Sequence, residues 1–156
     1  MKGDAKVIEH LQAQLKNELT AISQYFLHHR MYKHWGLDKL AKKEYSESIG
    51  EMKHADRLMD RIFVLEGLPN LQDLAKILVG EDVPEALACD LKTEEGAQAT
   101  IKAGMAYCES VVTMSHATCY KAFWTIPKST SIFWKLRLNC WPRSACRIIF
   151  NHRWAS

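Results

Sequence analysis

No aspartate or glutamate occurs after Glu109. A globular segment as long as residues 110–156 normally carries several carboxylates, since about a quarter of residues are charged. This one carries seven Lys and Arg instead, while residues 1–109 hold all 18 acidic side chains against 14 basic ones. The overall net charge of +3 hides that break, which falls near Ser110. Long hydrophobic runs are missing too. No stretch approaches ~18 uninterrupted apolar residues, which excludes a membrane-spanning helix, and no membrane partner is expected. Met1-Lys2-Gly3-Asp4 leads into a charged pattern without the apolar core of a secretion signal, so the expected compartment is the cytoplasm. Five cysteines, at 89, 108, 119, 140 and 146, have no paired spacing, so they indicate neither a disulfide framework nor a cysteine zinc site. Only 4 prolines and 7 glycines are present, too few for a fibrous or low-complexity chain. What remains is one globular domain over residues 1–156, with 47% apolar residues.

The apolar residues follow a helical period. Ile8, Leu11, Leu15, Glu18, Ile22, Tyr25 and His29 recur at spacings of three and four, one face of a helix from Asp4 to about His34. Gly36 suits its C-terminal cap. A second helix opens at Asp38 and runs to Glu66, with the seam Ser48, Glu51, Ala55, Leu58, Ile62 and Leu65. Asp82-x-x-Glu85 is a capping-box pattern for a third helix, with Pro84 tolerated in its first turn. Its face is Leu87, Leu91, Glu94, Gln98, Ile101, Met105 and Cys108. Residues 67–82 are too many for a tight helical hairpin. Extended, they reach roughly 50 Å, enough to run the length of a helix of about 42 Å. The second and third helices can therefore be parallel, joined by one long crossover as in ferritin-like four-helix bundles. The fold class is all-α.

Three of these inner faces carry one mid-helix carboxylate each: Glu18, Glu51 and Glu94. A lone buried carboxylate is costly unless it is paired or binds a metal. Each of them either reaches water at the edge of a wide face or joins a shared interior site. His54 follows Glu51 by three residues, so both can reach one ion. Carboxylate oxygen with imidazole nitrogen suits iron, manganese or zinc. With Glu18 and Glu94 the set describes most of a di-iron site in a helical bundle. The second helix has another stripe, Tyr45, Ile49, Met52, Met59 and Phe63, suited to a partner subunit. Met52 either packs there or offers its thioether to haem iron.

Blocks such as MKGDAKVIEHL, NELTAISQYFLHHRMY, WGLDKLAKKEY, ESIGEMKHAD, FVLEGLPNLQDL and CDLKTEEGA resemble bacterioferritin closely, over residues 1 to about 111. The resemblance implies a four-helix subunit of a hollow 24-subunit shell that stores ferric iron. It implies that Glu18, Glu51, His54 and Glu94 are both the catalytic residues and the metal ligands of a di-iron site, where Fe(II) is oxidised by oxygen or peroxide. It further implies that Met52 binds haem b between two subunits.

The sequence departs from the family in three places. Ser46 and Gly50 stand where the family commonly has a His and an Asp, so the resemblance carries no inner-surface iron site. Pro127-Lys128-Ser129-Thr130 stands where a second E-x-x-H belongs in the fourth helix. Residues 112–156 match no bacterioferritin segment, and the genetic code offers a reason. If one nucleotide is lost near Val112, the earlier frame joins the last base of each codon to the first two of the next. Thr113 onward then becomes compatible with D-Y-V-S-R-D-M, and Lys128 onward with E-E-H-I-D-x-L-E. Trp124-Thr125 is forced to Asp and Trp134-Lys135 to Glu. The tail therefore reads as a frameshifted or missequenced fourth helix. In either frame the position of Pro127 never encodes Glu, so one family ligand is absent. The literal tail alternates basic and aromatic residues, as in FWKLRLNCWPR, but Pro127 and Pro142 interrupt it and no nucleic-acid partner is expected. Three functions stay in view: an iron-storing oxidase subunit, a haem-bearing subunit relying on a partner for oxidation in a mixed shell, and a purely structural helical oligomer.

Overall fold

In a computed structural model, the chain is described over residues 3–111. The expected fourth helix and its Pro127–Thr130 segment lie outside these residues. Three helices and no strand occur among them: α1 (Ala5–His34), α2 (Asp38–Val64) and α3 (Val83–Ser110). Asp4 caps α1, its side chain accepting from the backbone N–H of Lys6 at 2.8 Å and Val7 at 3.1 Å. At the other end Gly36 takes φ +75°, and Leu37 N–H closes on the Tyr32 carbonyl at 2.9 Å. This is the left-handed helix stop that glycine favours.

α2 ends two residues earlier than its pattern suggests. Leu65 is the cap, and Glu66, not Gly67, takes the left-handed conformation, at φ 62°. Gly67 N–H then bonds the Ile62 carbonyl at 2.9 Å. A Cβ on Gly67 would lie 2.9 Å from the Ile62 side chain, so the glycine serves close approach. At the start of α3, Asp82 accepts from Glu85 N–H at 2.9 Å as the capping pattern predicts. The Glu85 carboxylate reaches back one residue further than expected, to Glu81 N–H at 3.0 Å.

Between α2 and α3 the crossover runs along α1 as an extended strap. Gln12, Lys16, Thr20 and Gln24, each one turn beyond the last, hold it in sequence. Gln12 bonds the Leu68 carbonyl at 2.7 Å and Asn70 N–H at 3.0 Å. Lys16 pairs with Asp73 at 2.8 Å. Thr20 Oγ1 accepts from Ala75 N–H at 3.0 Å and Gln24 Oε1 from Leu78 N–H at 2.9 Å. The strap therefore travels in the direction of α1 and delivers the chain to the far end of the bundle. α3 starts beside Tyr32 and finishes with Tyr107 against Asp4, antiparallel to α1 and parallel to α2.

The apolar core is split in two. One cluster, including Leu11, Leu15, Leu58, Ile62 and Ile101, fills the end where α1 begins. The other, including Tyr32, Leu40, Val83 and Leu87, fills the end where α1 finishes. Between them each helix contributes buried polar side chains: Glu18, Gln24 and His28 from α1, Glu44, Ser48 and Glu51 from α2, Asp90 from α3. A polar belt across the middle of a helical bundle costs stability unless its members satisfy one another or hold a ligand.

Candidate metal centre

α1 and α2 bring Glu18, Glu51 and His54 together in that belt. One ligand atom from each lies within 4.8 Å of the others, the one such His/Cys/Asp/Glu group among the described residues. Glu51 and His54 are successive turns of one helix face, and the seam that buries Ala55 and Leu58 carries Glu51 inward. His54 Nδ1 lies 2.7 Å from Glu51 Oε2 and 3.4 Å from Glu18 Oε2. Both glutamates are buried and His54 is half-buried. Two carboxylates and an imidazole are a donor set for a divalent transition metal such as iron.

Protons hold this cluster together. Burial pushes the Glu51 carboxyl up, and the neighbouring Glu18 adds to it, to about 9. Burial acts the same way on Glu18, but hydrogen bonds from Glu51, His54 and Gln14 outweigh it and its pKa is lowered. For His54, burial favours the neutral ring, yet the two carboxylates prevail and lift it to about 9. An anion, a neutral acid and an imidazolium balance in charge, and two of the three are protonated at neutral pH.

Glu94 stands outside this trio. Its Oε1 accepts the Tyr25 hydroxyl at 2.6 Å, and Tyr25 is fully buried. Burial raises the Glu94 carboxyl, Tyr25 opposes this, and the Glu18 and Asp90 charges add to the rise, so the group is electrostatically within the belt. Met52 is on the outer side of α2, 45% exposed, with Tyr45 and Phe63 exposed beside it. Ile49 is half-buried, and Met59 departs from the expected outer stripe by packing against the core.

Sequence periodicity misses a second part of the belt. His28 Nδ1 lies 2.8 Å from Asp90 Oδ1, and Gln24 Nε2 donates to the same oxygen at 2.8 Å. Glu44 lies against Asp90, and burial with that neighbouring charge pushes its carboxyl well above the usual range. All four side chains are inaccessible to solvent. The signal was present as Gln24, His28 and Tyr32, polar-tipped residues one turn apart on α1. His29, assigned to the inner face from the apolar spacing, instead bonds the Ala41 carbonyl at 2.7 Å and is only half-buried.

A family model for the ferritin-like domain matches residues 8–125. A bacterioferritin of Rhodobacter capsulatus is 53% identical over 111 residues, covering 71% of this chain and 69% of that protein. A bacterioferritin of Brucella melitensis is 48% identical over the same length, with the same coverage. One of Streptomyces coelicolor is 43% identical over 122 residues, 78% of this chain and 73% of that protein.

Proposed function

The chain belongs to the bacterioferritins, within the ferritin-like family, and on that premise we propose that it stores iron as a subunit of an oligomeric shell. The observation that carries this reading is the buried Glu18–Glu51–His54 trio, whose ligand atoms lie within 4.8 Å. Fe(II) is the substrate and supplies the electron that oxygen or peroxide removes. Carboxylates tolerate both iron charges and can bridge two ions. The chain's own part is to bind and to surrender protons: His54 and Glu51 must each lose one to become ligands. Glu94, held by Tyr25, is assigned to a second metal position. Met52 fits a haem b ligand shared between two subunits, since its thioether is exposed on an apolar outer face rather than packed in the core. The shell is a cytoplasmic 24-mer in this reading.

A second reading has one observation in its favour. Pro127 stands where the family places another ligand, which leaves the second metal position a carboxylate short. The subunit then carries haem and shell, and a competent partner subunit performs most of the oxidation.

Stopped-flow Fe(II) oxidation under air separates them. In the storage reading the pure protein oxidises Fe(II), and His54→Ala lowers the initial rate by at least about tenfold, as loss of a ligand should. Met52→Leu abolishes haem absorbance. Oxidation equal to that of free Fe(II), with haem retained, selects the partner-dependent reading. Absence of both iron and haem from the purified protein would leave only a structural oligomer.

A further inference from the structure

Gln14 lies one helical turn before Glu18 on α1 and is fully buried. Its Nε2 donates to Glu18 Oε1 at 2.6 Å. Its own carbonyl accepts from Asn17 Nδ2 at 3.3 Å, and the second hydrogen of that amide serves Thr100 Oγ1 on α3 at 2.9 Å. Thr100 in turn donates to the Gly96 carbonyl at 3.2 Å. The Gln14 carboxamide is therefore fixed at both ends, by a carboxylate of its own helix and by a chain of bonds to the opposite one. The other oxygen of Glu18, Oε2, turns toward His54 Nδ1 at 3.4 Å. Rotating Glu18 so that both oxygens faced one ion would break a bond between a buried amide and an anion, the strong kind, and leave the amide without an acceptor in a dry interior.

We infer that Gln14 is a positioning residue that makes Glu18 a one-oxygen ligand, binding through Oε2 while Oε1 stays on the amide. The inference rests on the metal-centre reading above and adds to it the denticity of one ligand, which keeps a coordination position on the ion open for a further group.

Cobalt(II) is the probe, because the intensity of its visible bands falls as coordination number rises. The full-length, metal-free protein is titrated with Co(II), and the wild type is compared with Gln14→Met, a substitution of similar length without a donor. The wild type should show visible cobalt bands. A crystal structure of its cobalt complex should show Glu18 Oε2 alone on the ion, with Gln14 Nε2 still on Oε1. In Gln14→Met, Glu18 should swing to two-oxygen binding and the bands should lose intensity. Asn17→Ala, which loosens the outer link only, should move the spectrum in the same direction by less. Identical spectra in wild type and Gln14→Met overturn the inference, and so does two-oxygen Glu18 in the wild-type complex, which decides the matter even if the variant does not fold. No cobalt bands in the wild type would instead remove the metal-centre reading itself.

Discussion

At the scale of single residues, the trio ties proton binding to both stability and metal uptake. Glu51 and His54 are both held up to about 9, against ordinary values of 4.5 and 6.5. Between those values and about 9 the folded, metal-free chain binds more protons than the unfolded one, so its stability falls as pH rises through that window. The His54 contribution is fully present below its ordinary value and is lost as pH climbs through about 9. Glu18 works in the opposite sense: its lowered pKa contributes stability that is lost on the acid side. The urea midpoint of metal-free protein should therefore be lower above pH 9 than near pH 6, and His54→Gln should flatten that slope. A divalent ion takes the place of the same protons. Binding at neutral pH should release about two protons per ion, read by calorimetry in buffers of different ionisation enthalpy. No net release would mean that the ion sits elsewhere.

Secondary-structure elements are positioned by polar ridges as much as by apolar seams. Gln24 ties α1 to two other segments at once: to Asp90 and Thr93 on α3, and to Leu78 in the strap. Gln24→Leu should strand a strap N–H and weaken the Asp90 cluster, costing about 1–3 kcal/mol in urea unfolding. Gln12→Leu, at the exposed end of the same ridge, should cost less than about 0.5 kcal/mol. An equal cost at both sites would show that burial of the ridge is irrelevant. The same contrast explains what was legible in the chain. The α2 seam is regular, and Ser48, Glu51, Ala55, Leu58, Ile62 and Leu65 are all buried as its spacing predicts. The long crossover and the parallel course of α2 and α3 followed from residue counts and reach. On α1, periodicity placed Leu11, Leu15, Glu18 and Tyr25 correctly, but Ile8, Ile22 and His29 are only half-buried, and Gln14, Gln24 and His28 are fully buried beside them. Their partners for Gln24 and His28 lie 66 and 62 residues away, a pairing that no local pattern reveals. Likewise the Glu51–His54 half of the trio is a local motif, while its meeting with Glu18 is a product of the fold.

For the whole molecule, the open question is what completes the bundle. α1 packs against both α2 and α3, and its own inner side is deeply buried. On α3, by contrast, Leu91, Glu94, Gln98 and Met105, predicted to face the interior, are only half-buried. That face sets Glu94 among half-buried side chains, and residues 110–156 contain no carboxylate at all. Similarity to the Rhodobacter and Brucella proteins covers 111 residues, while the ferritin-like family model reaches residue 125. We propose that the gene reads, or once read, a fourth helix in another frame beyond about codon 112, and resequencing codons 108–125 tests this directly. The literal chain should expose an apolar face well above the few hundred Å² that soluble monomers tolerate, and it should scatter light as aggregates soon after purification. A frame-restored version should assemble, bind haem and oxidise Fe(II). Its oxidation should be slow, because the position of Pro127 encodes no Glu in either frame and one of two metal positions stays short of a carboxylate. Static light scattering and initial Fe(II) oxidation rates on both versions decide the matter. A soluble, fast-oxidising shell from the literal sequence would mean that residues 112–156 supply the missing cover and ligands by a route unlike the family's fourth helix.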